Sequence, residues 1–308
     1  VDQTSTKIKT AGYTDVETLL NEVQPDWVHV CTPAQTHCDI AVTCLRAGTH
    51  VLVEKPFVMN TNEFDRLTTV ADECDRRVTA VHNQVYYRPL SRVHRRVQSG
   101  EFGAVHGVSV RWAEYIDPSD SDRGDWVLDL PGGEFGEGIV HPIYVGLRFA
   151  GYPVNNDGIG IHRINATDSA TSYDGIAVSF QTVDDTTCTI HHHSNVPDQR
   201  RVDIAAEDAH ITVDIASQSV TVQRKSFGPN SNFKHPLFRS NIKTMQDAIK
   251  SVGDATRQWI RERTSEATVH DTHTPVIRRE AQAIRGQGSG PTPQSENRWT
   301  TQIFSRIN

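Results

Sequence analysis

The chain has 308 residues, of which 36% are hydrophobic and 22% charged, so it can bury a core and disorder is not expected. Its formal net charge of -7 argues against binding to nucleic acid or to a membrane surface, because proteins with those partners are usually basic. No apolar run approaches the ~20 residues of a membrane span, and no signal-peptide pattern opens the sequence. These features predict a cytoplasmic protein.

The chain contains an odd number of cysteines, five, and no two of them form a C-x-x-C pair. This usage is typical of a reducing compartment and lacks the spacing of a zinc site. We therefore expect a reducing, cytoplasmic compartment and no metal site. A histidine triplet at 191–193 falls on a predicted strand, where alternate residues face opposite ways, so a surface or substrate-facing strand is favoured over a metal site.

Short apolar runs alternate with amphipathic stretches of helical length between residues 10 and 85. Strands are predicted at Trp27–Cys31, His50–Val53 and Val78–Val81. Helices are predicted from a capping box at Thr14–Glu17 to about Glu22, from Thr36 to about Ala47, and from Thr61 or Asn62 to about Arg76. Strands separated by helices of this length are typical of βαβ units. Residues 1–83 are thus predicted to be the remainder of a Rossmann-type domain with a parallel sheet.

The pattern changes near residue 104 to strands in which apolar and polar residues alternate. These strands are predicted at Val105–Ala113, Ile176–Thr182, Thr186–His193, Arg201–Ala206, His210–Ile215 and Ser219–Gln223. Helices are predicted at 137–150, 241–262 and 274–285. Residues 84–308 are therefore predicted to form an α+β domain with an open, mostly antiparallel sheet, within a chain of the α/β class.

Polar residues directly follow each predicted parallel strand. The three segments are Cys31-Thr32-Pro33, Glu54-Lys55-Pro56 and His82-Asn83-Gln84. Ligands of open parallel sheets bind outside the carboxyl ends of the strands. Ordinary solvation explains one polar strand end, but three such ends at the same edge favour a binding site.

Four longer segments also carry a family resemblance. The first, "YTDVETLLNEVQPDWVHVCTPAQTHCDIAVTCLRAGTHVLVEKPFVMN", holds a strand–TP–H–helix segment and an EKP signature. The others are "NQVYYRPLSRVHRRVQSGEFGAVHGVSVRW", "PGGEFGEGIVHPI" and "TPVIRREAQAIRGQG". In this order they resemble the glucose–fructose oxidoreductase / inositol dehydrogenase / MocA (Gfo/Idh/MocA) family, across nearly the whole chain.

Members of that family are NAD- or NADP-dependent dehydrogenases, so the resemblance implies hydride transfer at a secondary alcohol of a sugar, cyclitol or related polyol. It implies catalytic roles for Lys55, Glu137 and His141. It implies cofactor contacts from Cys31, Thr32, Pro33, His37, Glu54, Lys55 and Asn83. It implies substrate contacts from Lys55, Tyr86, Arg123, Trp126 and His141. It also implies a homodimer or homotetramer assembled through the open sheet.

The residue types suit this reaction. His141 can take the alcohol proton near neutral pH. Glu137 lies four residues earlier, so on one helix it would share a face with His141 and orient the ring, although an ordinary surface pair is the alternative. Lys55 can stabilise the negative charge that develops on the substrate oxygen. The family usually has aspartate at the position of Glu137, and this departure concerns substrate and geometry more than reaction class.

The phosphate-binding motif G-x-G-x-x-G does not occur in the 308 residues. By comparison with the family, we expect roughly 40–50 residues ahead of Val1, containing that motif and the residue that selects NAD or NADP. The alternative is a protein that naturally lacks the loop. Such a protein would be a non-catalytic sugar-sensing or regulatory protein on the same fold.

Overall fold

The computed structural model describes residues 10–114, 133–165, 173–194, 196–225, 253 and 271–307. They form two compact units. The first contains the described residues up to Val81 together with Ile277–Ser305. The second contains the described residues from His82 to Val276, with Arg306 and Ile307. The predicted helix at 241–262 lies outside the described residues, except for Gly253.

The first unit alternates helices with parallel strands, as predicted. Its first elements are α1 (Val16–Val23), β1 (Trp27–Val30), α2 (His37–Arg46), β2 (His50–Val53), α3 (Thr61–Glu73) and β3 (Val78–Ala80). Strand β2 lies between β1 and β3 and pairs with both in parallel. Val30, Val51 and Val53 pack in one apolar cluster with residues of α2 and α3. The carboxyl ends of the three strands therefore lie at one edge of the sheet.

Side-chain caps set the start of the helices around this sheet. Asp15 caps α1, because its Oδ2 accepts a hydrogen bond from the backbone N–H of Thr18 at 2.7 Å. The cap predicted at Thr14 is therefore wrong by one residue. Asn60 caps α3, with its Oδ1 accepting from the backbone N–H of Glu63 at 3.0 Å. These carboxylate and amide oxygens satisfy N–H groups that a helix leaves unpaired in its first turn.

The second unit is a helix-covered sheet. Its elements are α4 (Arg88–Gln98), β4 (Val105–Glu114), α5 (Gly133–Gly138), α6 (Val140–Ala150), β5 (Gly160–Asn165), β6 (Tyr173–Gln181), β7 (Thr187–Ser194), β8 (Gln199–Ala206), β9 (Ala209–Asp214) and β10 (Ser219–Arg224). The seven strands run in the order β10-β9-β8-β4-β7-β6-β5. Strands β4 and β7 pair in parallel, and the other neighbours are antiparallel. The predicted α/β class with a mostly antiparallel second sheet is confirmed, and β5 is a strand that the sequence pattern did not predict.

The helix predicted over 137–150 is interrupted. Helix α5 ends at Gly138 and α6 begins at Val140, so the prediction of one continuous helix is wrong. The chain passes close to the sheet at Gly138. A Cβ atom at this position would lie only 3.1 Å from Cε1 of His192 on β7, so a residue without a side chain fits here. Glu137 and His141 thus lie on different helices. The four-residue spacing alone no longer argues that they share a face.

Two more helices, α7 (His273–Ile284) and α8 (Gln294–Ile307), complete the described chain. The Arg77 guanidinium donates to both carboxylate oxygens of Glu280 on α7, at 3.0 and 3.2 Å. The Thr292 hydroxyl donates to the carbonyl of Ala80 on β3 at 3.0 Å. These bonds attach residues 277–305 to the first unit. The prediction that the second domain continues to the end of the chain is therefore corrected.

None of the helices among the described residues combines the length and the apolar character that a membrane crossing requires.

Candidate active site

The loops after β1 and β2 bring the first group of predicted site residues to one sheet edge. Residues 31–33 are exposed after β1, and Glu54 and Lys55 are half-buried after β2. The backbone N–H of Glu54 donates to the carbonyl of Val30 at 2.9 Å, which extends the pairing of the two strands up to the loops. The Lys55-Pro56 peptide is cis. This backbone hydrogen bond thus fixes the position of the loop from which the Lys55 side chain extends.

His37, at the start of α2, joins these two loops. Its ring is buried, with Nδ1 at 2.8 Å from the Pro56 carbonyl oxygen and Nε2 at 2.8 Å from the Thr32 carbonyl oxygen. Both partners are acceptors, and a neutral imidazole donates only one N–H, so at any moment a neutral ring satisfies one of the two. His37 is placed to hold the loops together. Its predicted cofactor contact stays a prediction.

His29, Cys31 and Glu54 form a mixed cluster at the same edge. His29 Nε2 lies 3.4 Å from Glu54 Oε1, and one side-chain donor atom from each residue falls within 4.8 Å of the other two. Burial opposes protonation of the ring, but hydrogen bonding and electrostatic interaction with Cys31 and Glu54 outweigh it and raise the pKa of His29 to about 9. All five cysteines of the chain are free thiols.

The second unit builds a hydrogen-bonded group around the hydroxyl of Tyr144 on α6. This hydroxyl lies 2.7 Å from Nδ1 of His141, donates to Asn83 Oδ1 at 3.3 Å, and accepts from the backbone N–H of Gln84 at 3.2 Å. The Asn83 amide in turn donates to the Thr272 hydroxyl at 3.0 Å. Residues far apart in sequence therefore hold the buried His141 ring.

The hydrogen bonds among His141, Tyr144 and Asn83 favour one tautomer of His141. The Tyr144 hydroxyl has one hydrogen and accepts two hydrogen bonds. When that hydrogen goes to Asn83 Oδ1, His141 must donate through Nδ1, and all three members are satisfied. The reverse direction, with Tyr144 donating to Nδ1, leaves Asn83 Oδ1 without its donor. The favoured pattern leaves the lone pair of the neutral ring on Nε2, as a general base requires.

An aromatic and charged group borders His141. The ring of Trp112 on β4 stacks with His141 at a centroid distance of 6.3 Å, and Trp112 Nε1 donates to Glu114 Oε1 at 2.9 Å. Arg200 on β8 donates to the same oxygen at 2.9 Å, and its guanidinium carbon lies 5.3 Å from the Trp112 ring centroid. Glu114 thereby orients both Trp112 and Arg200. The half-buried pair of Glu114 and Arg200 places charged groups on this face of the unit, and such groups suit a hydroxylated ligand.

The histidines of β7 follow the predicted alternation. His192 is buried, whereas His191 and His193 are half-buried on the other face, with ring centroids 6.4 Å apart. Burial, with smaller contributions from His193 and Arg200, lowers the pKa of His192 to about 3. His192 is therefore a neutral ring beneath the site at ordinary pH.

The other predicted site residues fall into two groups. Glu137 and Tyr86 are half-buried in the second unit, and Arg123 and Trp126 lie outside the described residues. The sequence analysis missed Tyr144, although it lies one helical turn after His141 and could have been found by that spacing. It also missed Glu114 and Arg200, whose pairing across two strands has no signal in a single sequence.

The strand-end loops of the first unit and the oriented histidine of the second define a protein of the dinucleotide-binding α/β type with a separate α+β unit. Residues 2–82 match the family model GFO_IDH_MocA, described as "Oxidoreductase family, NAD-binding Rossmann fold". This region of the chain is therefore similar to the NAD-binding domain of the Gfo/Idh/MocA oxidoreductases.

Curated relatives agree with this assignment. UDP-N-acetylglucosamine 3-dehydrogenase of Acidithiobacillus ferrooxidans is 26% identical over 232 residues, which cover 73% of this chain and 66% of the relative. Myo-inositol 2-dehydrogenase of Thermotoga maritima is 28% identical over 99 residues, or 32% of this chain and 30% of the relative. The matched region thus spans just under two thirds of the first relative and less than a third of the second.

Solved structures share the fold over almost the whole chain. The WlbA dehydrogenase of Bordetella pertussis, solved with NADH and UDP-GlcNAcA, has a TM-score of 0.74 at 16% identity, covering 99% of this chain and 84% of that chain. The Acidithiobacillus ferrooxidans enzyme GnnA has a TM-score of 0.72 at 16% identity, covering 99% of this chain and 85% of that chain.

The residues present fit one end of a nicotinamide dinucleotide. The exposed backbone and side chains of residues 31–33 and the half-buried Glu54 and Lys55 meet at the sheet edge where such ligands bind. The pyrophosphate requires a glycine-rich turn at a helix N-terminus, and the 308 residues contain no G-x-G-x-x-G. These residues therefore fit the nicotinamide half of the cofactor but do not include the site for its pyrophosphate.

Proposed function

We propose that this chain is part of an NAD(P)-dependent dehydrogenase that oxidises or reduces a secondary alcohol of a sugar, cyclitol or related polyol. The observation that carries the proposal is the Tyr144 group, which gives the His141 ring a defined tautomer. The named dehydrogenases among the relatives support this function over a non-catalytic sugar sensor.

In the proposed reaction, His141 accepts the alcohol proton at Nε2 during oxidation and returns it during reduction. Asn83 and Tyr144 keep Nδ1 protonated and hold the ring in place, so the proton moves through one nitrogen only. Glu137 is proposed to stabilise the charged ring, a role that rests on the family resemblance.

Lys55 is proposed to bind the substrate hydroxyl and to stabilise the negative charge that develops on its oxygen. A half-buried ammonium group on a loop fixed by backbone pairing suits this role, because preorganised charge needs little rearrangement during reaction. Residues 31–33, His37, Glu54 and Asn83 would hold the nicotinamide side of NAD or NADP. When bound, that cofactor supplies the hydride acceptor or donor.

Substrate contacts are proposed from Tyr86, Arg123 and Trp126 in addition to Lys55 and His141. The hydrogen-bonded group of Trp112, Glu114 and Arg200 would offer further polar contacts beside His141. We also infer a cytoplasmic homodimer or homotetramer that assembles through the sheet face opposite α6. Half-buried residues such as His191 and His193 lie on that face, away from the buried His192.

The test is a panel of sugars, sugar nucleotides and cyclitols with both nicotinamide nucleotides, followed by absorbance of the reduced cofactor. We expect turnover with at least one alcohol and its loss in His141→Asn. Fluorescence of NADH with the full-length wild-type protein separates binding from chemistry. A full-length protein, including the expected phosphate-binding segment, that neither binds NADH nor turns over any alcohol contradicts the proposal.

A further inference from the structure

A crevice of about 450 Å³ opens at the amino-terminal edge of the parallel sheet. His50 begins β2 and Arg77 directly precedes β3, so this edge lies opposite the one that carries Glu54 and Lys55. The volume is typical of a small-molecule site, but the lining is charged or polar except for one alanine. The described residues that line the crevice are His50, Ala71, Asp72, Asp75, Arg76 and Arg77. Walls of this kind suit a small charged molecule.

Two backbone carbonyls hold the Arg76 side chain in place. Its Nε donates to the carbonyl of Gly48 at 2.5 Å, and its Nη1 donates to the carbonyl of Asp75 at 2.8 Å. A guanidinium has five N–H groups, so three remain for a ligand. No carboxylate of the described residues lies within 4.0 Å of this guanidinium. Its positive charge is therefore fixed in position without being neutralised by a neighbouring acid.

His50 adds a hydrogen-bond donor with a defined tautomer. Its Nδ1 accepts a hydrogen bond from the backbone N–H of Arg77 at 2.9 Å, so in the neutral ring the hydrogen is on Nε2. Burial and the positive charge of Arg76 lower the pKa of His50, so the ring is neutral near neutral pH. The crevice thus has the Nε2–H group of His50 as a donor besides the Arg76 guanidinium.

Arg77, by contrast, already has a partner for its charge. Its guanidinium donates to both oxygens of the buried Glu280, at 3.0 and 3.2 Å. A bidentate pair of this kind fixes the geometry of both side chains. Arg76 is therefore the cation that the crevice offers to a ligand, whereas Arg77 supports the wall.

Two exposed carboxylates line the same crevice, Asp72 near the end of α3 and Asp75 just after it. Neither forms an ion pair with any of the described residues. Opposite charges thus share one crevice and do not neutralise each other. A ligand with both charges is attracted by both walls, whereas a simple anion or cation is repelled by one of them.

We propose that this crevice is a binding site for a small zwitterion with a carboxylate and an ammonium group, of the free α-amino-acid class. Arg76 and Nε2 of His50 bind the carboxylate, and Asp72 and Asp75 bind the ammonium group. Because the crevice is at the amino-terminal edge of the sheet, the zwitterion does not compete with a nicotinamide nucleotide at the opposite edge. The sequence analysis missed this site because it considered only the carboxyl ends of the strands.

Calorimetric titration of the full-length wild-type protein with each of the common amino acids tests the site. We expect at least one amino acid to bind saturably with a stoichiometry of one, and its analogues without the amino group or without the carboxylate to bind at least about tenfold more weakly. Arg76→Gln and the double variant Asp72→Asn, Asp75→Asn should weaken binding by a similar factor. Arg66→Gln is the matched control, because Arg66 lies on α3 but pairs with Asp39 away from the crevice, and it should bind as the wild type does.

An ordinary solvated surface is the competing explanation, and it predicts no saturable binding of any amino acid. That result overturns the proposal. Equal binding of the analogue without the amino group, or unchanged binding in Arg76→Gln, also overturns it. Circular dichroism checks the folding of each variant, and the exposed Asp72 and Asp75 positions decide the question if the Arg76 variant does not fold. None of these readouts requires dehydrogenase activity.

Discussion

The two units of this protein position their functional side chains in different ways. In the first, Glu54 and Lys55 directly follow a strand, and the pairing of parallel strands alone brings them to the sheet edge. In the second, His141 is held by Tyr144 on its own helix and by Asn83, which comes from a distant part of the sequence. Backbone topology thus places the first group, whereas side-chain packing places the second.

The largest expected effect comes from the second unit. His141→Asn removes the proposed proton acceptor and should lower kcat by about 10²- to 10⁴-fold, which is the usual contribution of general acid–base catalysis. Steady-state kinetics with the best alcohol substrate measures it. His94→Asn is a suitable control, since His94 lies on α4 and packs against Phe149. Turnover of His141→Asn at the wild-type rate would remove His141 from the mechanism.

Lys55→Ala tests the first unit in the same assay. Losing one preorganised charge at the reacting oxygen should lower kcat by about 10²- to 10³-fold while the fold is kept. Lys225→Ala, which removes an exposed lysine, should keep wild-type activity. If Lys55 and His141 serve one chemical step, the double variant will be only slightly slower than the slower single variant. Fully multiplicative losses would mean that the two residues act independently.

The contrast between backbone topology in the first unit and side-chain packing in the second explains which parts of the site could be predicted from the sequence. The strands around Lys55 were predicted because apolar runs and helical periods are local patterns, and the strand-end rule then located the loops. The Tyr144 group was not predicted, because its hydrogen bonds join residues 83, 144 and 272, and a single sequence does not contain such pairings. The one-helix prediction around Glu137 was wrong because helical periodicity does not reveal the close approach of Gly138 to His192.

The attachment of α7 to the first unit can be broken by Arg77→Met. Glu280 is fully buried, so removing its bidentate partner leaves an unpaired carboxylate in the interior. Arg77 is about one third exposed, so solvent screening reduces the loss to about 2 kcal/mol. Urea unfolding measures it. Arg298→Met, which breaks an exposed pair with Asp65, should cost no more than about 1 kcal/mol.

The buried His192 should make the stability of the second unit depend on pH. Its pKa in the folded state is about 3, below the value of about 6.5 in an unfolded chain. As the pH falls below 6.5 the unfolded state binds the proton first, so stability is lost progressively down to about pH 3. The slope approaches ~1.4 kcal/mol per pH unit. Urea unfolding at several pH values should show this loss in the wild type and in His106→Leu, which changes an exposed histidine, but not in His192→Leu.

The smallest expected effect is also the sharpest test of the side-chain network. Tyr144→Phe keeps the ring that stacks with His82 but removes the hydroxyl that satisfies Asn83 and holds Nδ1 of His141. A single hydrogen bond of this kind contributes about 1 kcal/mol, so kcat should fall about fivefold.

The pH profile separates positioning from mere packing. Because the phenylalanine variant no longer fixes the imidazole tautomer, the pH dependence of kcat should change together with its magnitude. Tyr152→Phe, a half-buried tyrosine of the same unit, should leave both unchanged. A Tyr144→Phe enzyme with lower stability but the wild-type kcat and pH profile would show that the hydroxyl only packs the core. The tautomer of His141 would then have to be set by another group, with Glu137 the first to examine.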